Sequence, residues 1–155
     1  MVRWDQGRDI VDDLIRRGDL ERVVADRSLA DRLLASSRRH IASARLAGPA
    51  DPEGAFQLAY DAARKALLAV LQNQGLRATS RGGHVAIGSA LRAQLDPPMG
   101  DALDCFTWMR RLRNATEYPR PEQASAHADD LTPAIACAER LTDMAHRLLD
   151  AMPVY

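Results

Sequence analysis

The stretch from residue 100 to residue 118 restricts the fold most, because its pattern demands a helix with one buried side. It contains no proline and no glycine after Gly100, and Pro119 follows it. We therefore predict a helix that begins at Gly100–Asp101 and ends at Tyr118. One side of this helix has the spacing of three and four that is typical of a core-facing surface. That side consists of Ala102, Cys105, Met109, Leu112 and Thr116.

The neighbouring side of the same helix changes from apolar to charged. It begins with Leu103 and Phe106 and continues with Arg110, Arg113 and Glu117. Charged side chains beside an apolar seam destabilise a fold unless they are paired. Either these three charges form ion pairs one turn apart, each contributing roughly 0.2–0.5 kcal/mol, or they serve something other than folding.

Composition and periodicity predict one all-α domain over residues 1–155. Hydrophobic residues make up 46% and charged residues 27%, as in globular proteins, while aromatic residues make up only 5%, which favours helices over sheets. Residues 19–24 are expected to add at most one turn to the first helix. We expect an up-and-down four-helix bundle over residues 28–152, with an N-terminal helical extension over residues 1–26. The helical patterns lie at 8–17, about 28–45, 53–73, 85–95, 100–118 and 122–152.

Charge and hydropathy exclude two classes of protein. The formal net charge is zero, so any contact with nucleic acid must come from a local patch and not from a basic surface. No apolar run approaches the roughly 18–20 residues that cross a bilayer, and the N-terminus has no signal-peptide pattern. We therefore expect a soluble, cytoplasmic protein that makes no contact with membranes.

The two cysteines, Cys105 and Cys137, both fall at apolar positions of helical patterns. They are expected to be small buried side chains, because they show neither the spacing of a metal site nor that of a disulfide framework. No other pattern indicates a metal site or a cofactor.

A glycine-containing junction precedes the helix predicted at 85–95. It reads Arg81-Gly82-Gly83-His84, and two glycines before a helix N-terminus can form a nest that binds anions. The spacing and the Lys-Ser/Thr pair of a Walker loop are missing. Earlier in the chain, His40 is expected to be half-buried with a backbone partner.

Three segments resemble the HEPN superfamily. They are the run Ala-Tyr-Asp-Ala-Ala-Arg-Lys-Ala at 59–66, the junction at 81–84, and the pattern Arg-x-x-Arg-Asn-x-x-Glu-Tyr within 109–119. The resemblance covers about residues 28–150 and implies a four-helix bundle that usually forms a homodimer. Many members are metal-independent ribonucleases that act as toxins or in phage defence. Some pair with a nucleotidyltransferase that silences them by modifying a tyrosine, which would make Tyr118 a modification site.

The usual catalytic signature of that superfamily is an arginine followed, after four to six residues, by a histidine. Arg113 and Asn114 match its first half, but Glu117 stands four residues after Arg113 and the next histidine is His127. A histidine with a pKa near 6.5 can take or supply a proton, whereas a glutamate with a pKa near 4.3 is a weaker base. His84 could supply the imidazole if its helix end lies near the arginines.

The first hypothesis for the charged stripe is a toxin-like ribonuclease. Arg110 and Arg113 would hold an RNA phosphate with help from Arg81, and Asn114 would orient it. Glu117 or His84 would then be the group that transfers protons.

Two further hypotheses stay open from the sequence. In one, the chain is a non-catalytic module that forms a homodimer or docks an antitoxin or a nucleotidyltransferase. Its surface would be a third stripe that contains Trp108, Arg111 and Tyr118, residue types enriched at interfaces. In the other, Glu117 pairs with Arg113 and the cluster only stabilises the bundle.

Overall fold

The computed structural model describes residues 4–122 and 126–155. Helices dominate the described residues, and the prediction of an all-α, HEPN-like helical fold is confirmed. Within this part of the chain, no helix combines the length and the apolar character that crossing a bilayer requires. The elements in order are α1 (Arg8–Arg16), β1 (Leu20–Arg22), α2 (Arg27–Ala47), α3 (Pro52–Gln74), β2 (Leu76–Ala78), α4 (Gly83–Leu95), α5 (Gly100–Glu117) and α6 (Ala128–Ala151).

Helix α3 lies at the centre and contacts α2, α4, α5 and α6. Its bounds follow from local chemistry. The side chain of Asp51 accepts a hydrogen bond from the backbone N–H of Gly54, and Pro52 occupies the first turn, where its missing N–H costs nothing. At the other end Gly75 has a φ of 78°, a left-handed conformation that terminates helices. Small buried residues on several sides let the neighbouring helices approach closely; they are Ala59, Ala62, Ala63, Ala66 and Ala69.

Residues 20–22 form a strand, so the extra helical turn predicted for 19–24 is wrong. β1 pairs with β2 in antiparallel register, with Leu20 opposite Ala78. The partner strand lies more than fifty residues away in sequence, and a local helical pattern cannot reveal it. The backbone oxygen of Asp19 lies so close to Gly82 that an added Cβ there would be 2.2 Å from it. The two-stranded sheet of β1 and β2 therefore holds the glycine junction and the start of α4 against the N-terminal segment.

A disulfide joins Cys105 on α5 to Cys137 on α6. The expectation of two separate cysteines without a disulfide is therefore wrong, although Cys137 is buried as predicted. Helices α5 and α6 pack side by side and bring the two Cα atoms to 6.0 Å, an ordinary spacing for a bridge. Periodicity places each cysteine on a face of its own helix but does not show which faces meet.

The deeply buried residues of α5 are Leu103, Phe106 and Met109. Two of the three belong to the stripe that turns charged, whereas most residues of the stripe predicted to face the core are only partly buried. The reason is that α5 packs against three helices, α3, α4 and α6, so more than one of its sides is covered. Arg110 and Arg113 follow Phe106 by one and two turns, so they emerge where the apolar contact with α3 ends.

Candidate active site

An open groove lies between α3, the start of α4 and the middle of α5. Its volume is about 560 Å³, and its polar walls include Tyr60, Asp61, Arg64, His84 and Arg113. We call it the polar groove. Two of these residues, His84 and Arg113, were predicted as site residues from the sequence, and the fold brings both to the same groove.

Tyr60 and His84 form the contact at the centre of the polar groove. The Tyr60 hydroxyl lies 2.6 Å from Nδ1 of His84, and the tyrosine is only 3% exposed. Its ring stacks on Phe106, with centroids 5.7 Å apart and planes 6° apart. His84 is half-buried in the first turn of α4, where Gly83 has a φ of 52°, a conformation that glycine adopts without strain. One tyrosine thus connects α3, α4 and α5.

Two arginines lie around this pair. The guanidinium of Arg113 lies 5.8 Å from the ring centroid of Tyr60, within the range of a cation–π contact. Arg110 lines a smaller pocket of about 130 Å³ that His84, Phe106 and Thr107 also line. Neither arginine pairs with a carboxylate anywhere in residues 4–122 and 126–155; the nearest polar contact of Arg113 is Oδ1 of Asn114, at 3.5 Å. Their positive charges are therefore available to an anion.

Burial and these charges set the protonation of the central pair. Burial lowers the pKa of His84, and the guanidiniums of Arg64, Arg113 and Arg110 lower it further, against the opposing effect of Asp61. Burial raises the pKa of Tyr60, despite the same three arginines. At neutral pH the imidazole is therefore uncharged and the phenol keeps its proton.

Asp61 is the centre of a second set of contacts at the edge of the polar groove. It accepts hydrogen bonds from Lys65, at 2.8 Å, and from Arg64, and Nδ1 of His40 lies 3.1 Å away. Burial alone would raise the pKa of Asp61, but the hydrogen bonds from Lys65 and Arg64 outweigh it and lower the pKa. Asp61 thus neutralises charge on α3 and not on α5. Among the described residues, no group of three His, Cys, Asp or Glu side chains could hold a metal ion.

His40 is half-buried as predicted, but the predicted backbone partner is wrong. Its polar neighbours are side chains and not the backbone: Nε2 lies 3.3 Å from Nζ of Lys65 and 3.5 Å from Oγ of Ser36. Its Nδ1 is buried without a well-aligned hydrogen bond among the described residues. Burial lowers the pKa of His40, and the charge of Lys65 lowers it further. His40 is therefore a neutral histidine at the edge of the polar groove, with side chains of α2 and α3 around its ring nitrogens.

Other predicted site residues lie elsewhere. Arg81 is exposed and pairs with Asp19 at 3.3 Å, outside the polar groove. Asn114 and Glu117 are exposed near the C-terminal end of α5. Within the described residues Glu117 forms no ion pair with Arg113, so the stabilising pair of the third hypothesis is not formed there.

The three residues proposed for modification or an interface have different surroundings. Trp108 packs edge-on against Phe56, with centroids 6.1 Å apart, and contributes to the core. Arg111 is exposed, and Tyr118 is 68% exposed. An interface role for Arg111 and Tyr118 remains a prediction.

Sequence reasoning missed Tyr60 and the contacts of Asp61. The apolar pattern of α3 assigns Tyr60 to the core, where its ring does lie, and treats Asp61 and Lys65 as a surface pair. A usable signal was present, because Asp61, Arg64 and Lys65 place three charges within five residues of an otherwise apolar helix. Such a cluster on a central helix indicates a polar cavity.

Comparison with models of known protein families gives a match over most of the chain. The family model of the HEPN domain matches residues 30–148, a range that runs from α2 into α6 and contains every residue of the polar groove. No curated protein and no solved structure matches the chain significantly.

Lowering the pH from about 7.5 to about 5.5 is expected to reduce the free energy of unfolding. The folded-state pKa values of His84 and His40 lie below the value near 6.5 that histidine has in an unfolded chain. The unfolded state therefore binds more protons in this range, and stability is lost as the pH falls. Urea unfolding of His84→Gln should show a shallower pH dependence than the wild type, with His146→Gln at an exposed position of α6 as the control for the loss of a histidine side chain. Equal slopes for His84→Gln and the wild type would contradict a half-buried, neutral His84.

Proposed function

This chain belongs to the HEPN domain family, and on that premise we propose that it is a metal-independent ribonuclease of a toxin–antitoxin or defence system. HEPN domains are generally linked to ribonuclease, toxin–antitoxin or defence roles. The observation that carries the proposal is that His84 and Arg113 line one groove, although 29 positions separate them in sequence. The groove thereby combines an imidazole with a free guanidinium, as the superfamily's arginine–histidine signature does.

The proposed chemistry uses His84 and Arg113 of the polar groove, Arg110 of the smaller pocket that His84 also lines, and Asn114. Guanidinium N–H groups of Arg113 and Arg110 donate hydrogen bonds to the phosphate oxygens and stabilise the charge that grows on them. Asn114, which contacts Arg113, orients that guanidinium. His84 takes the proton of the RNA 2′-hydroxyl as its oxygen attacks phosphorus, and the 5′-oxygen leaves with a proton. The products are a 2′,3′-cyclic phosphate and a 5′-hydroxyl.

His84 is a better proton-transfer group than Glu117 in this setting. Glu117 is exposed at the end of α5, whereas His84 is half-buried between the two arginine-lined cavities. Because the pKa of His84 is lowered, its imidazole is the basic form at neutral pH. Arg81, paired with Asp19 on another surface, has no part in the proposed step.

Arg113→Met is expected to lower the rate of RNA cleavage by about a hundredfold or more, because it removes a group that stabilises charge in the transition state. The assay uses mixed RNA with a chelator present, and product ends are analysed for cyclic phosphate. Arg140→Met, which removes one exposed arginine on α6, is the matched control and should cleave at the wild-type rate. Equal cleavage by Arg113→Met and the control would contradict the proposal.

A second candidate function is a non-catalytic module that docks an antitoxin or a nucleotidyltransferase. The large exposure of Tyr118 favours it, since 68% of this residue is open to solvent just where α5 ends before Pro119. A tyrosine there is accessible to a modifying enzyme, and Arg111 is exposed on the same helix. A chain of this kind would bind its partner and leave RNA intact.

HEPN domains commonly dimerise, and we propose a homodimer for this chain under both functions. Light scattering at tens of micromolar chain should give twice the mass of one chain. A single species with the mass of one chain would contradict the dimer. A dimer that leaves RNA intact would favour the docking function over the ribonuclease.

A further inference from the structure

We propose that Tyr60 is a positioning residue that holds His84 as the Nδ1–H tautomer and directs its Nε2 lone pair to the RNA 2′-hydroxyl. This inference rests on the proposed ribonuclease function. It assigns a role to the hydroxyl of a core tyrosine.

The geometry makes Tyr60 a rigid partner for His84, which has no other hydrogen bond within residues 4–122 and 126–155. Tyr60 is 3% exposed and stacks on Phe106, so its hydroxyl has a fixed position 2.6 Å from Nδ1 of His84. The other ring nitrogen, Nε2, makes no hydrogen bond to any residue that the structure describes. His84 lines both the polar groove and the smaller pocket with Arg110. One nitrogen is thus held by protein and the other is left for a ligand.

The proposed role as a base selects between the two neutral tautomers. A phenol hydroxyl either donates or accepts, so the contact with Tyr60 alone would allow both. Only the tautomer with its proton on Nδ1 leaves a lone pair on Nε2, and a general base needs that lone pair. The arginines that act on His84, which are Arg64, Arg110 and Arg113, only donate hydrogen bonds and cannot accept one from an Nε2–H.

In the Nδ1–H tautomer the Tyr60 oxygen accepts the hydrogen bond from His84. The Tyr60 hydroxyl keeps its own proton, and Tyr60 is one of the residues that line the polar groove.

This arrangement suits a neutral base whose partner does not itself titrate. As the 2′-oxygen forms its bond to phosphorus, its proton moves to Nε2, while Nδ1–H still donates to Tyr60. As the bond from phosphorus to the 5′-oxygen breaks, the imidazolium passes that proton to the leaving oxygen. Tyr60 neither gains nor loses a proton, and burial raises its pKa, which keeps the phenol neutral throughout. Its role is to hold the ring of His84 in place.

The decisive variant is Tyr60→Phe, because it removes only the hydroxyl and keeps the ring that stacks on Phe106. Tyr155→Phe is a matched control. It removes a hydroxyl that donates to the backbone oxygen of Arg8 and to Asp12, away from the polar groove. Two measurements are made on each protein: the tautomer of His84 by nitrogen-15 NMR of its imidazole, and kcat and KM for RNA cleavage as a function of pH.

In the wild type and in Tyr155→Phe, His84 should be the Nδ1–H tautomer. In Tyr60→Phe the imidazole should become a mixture of both tautomers. The kcat should fall about tenfold or more, with little change in KM and with a shifted acidic limb of the pH profile. An unchanged tautomer, or an unchanged kcat and pH profile, overturns the role of Tyr60. Failure of the ribonuclease function is distinct, since it appears as a wild type that cleaves no RNA, and it removes the catalytic role of Tyr60 as well.

Discussion

The stacking of Phe106 on Tyr60 is the contact from which the polar groove takes its geometry. The rings are nearly parallel and both residues are almost fully buried, so α5 cannot turn on α3 without opening a cavity. Arg110 and Arg113 follow Phe106 on the same side of α5 and are placed where the apolar contact ends. The same tyrosine meets His84 at the start of α4. Packing in the core thus determines where the charged groups lie.

Arg110 and Arg113 of α5 have no carboxylate partner among the described residues, so their charges are free to pair with a bound anion. Half-buried charges destabilise a protein when they lack partners, and the carboxylate of Asp61 is already bound by Arg64 and Lys65. Arginines whose charges are balanced only when an anion binds are typical of an anion-binding site. They are not typical of a cluster that stabilises the fold by itself. Under the proposed ribonuclease function that anion is the phosphate backbone of RNA, and the free nitrogen of His84 is the group that transfers the proton.

The helices could be predicted from the sequence because their signals are local. Asp51, Pro52 and Gly75 bound α3, and apolar periodicity locates the others. Contacts between distant segments give no local sequence signal. For this reason the pairing of β1 with β2 and the disulfide between Cys105 and Cys137 were not predicted. In the site, Arg113 is visible as a charge on an apolar stripe. His84 could be proposed only on the condition that its helix end reached the arginines, and Tyr60 gives no sign in sequence that its hydroxyl meets an imidazole.

The claim that His84 and Arg113 form one phosphate site is tested most directly by an NMR titration of the wild type. The ligand is a short RNA oligonucleotide in which 2′-deoxy sugars prevent cleavage. The side-chain signals of Arg113 and of the His84 imidazole should shift together and saturate with a single Kd, which should weaken as salt is raised. Shifts confined to other surfaces, such as that of Arg81, or separate Kd values for the two residues, would contradict the account.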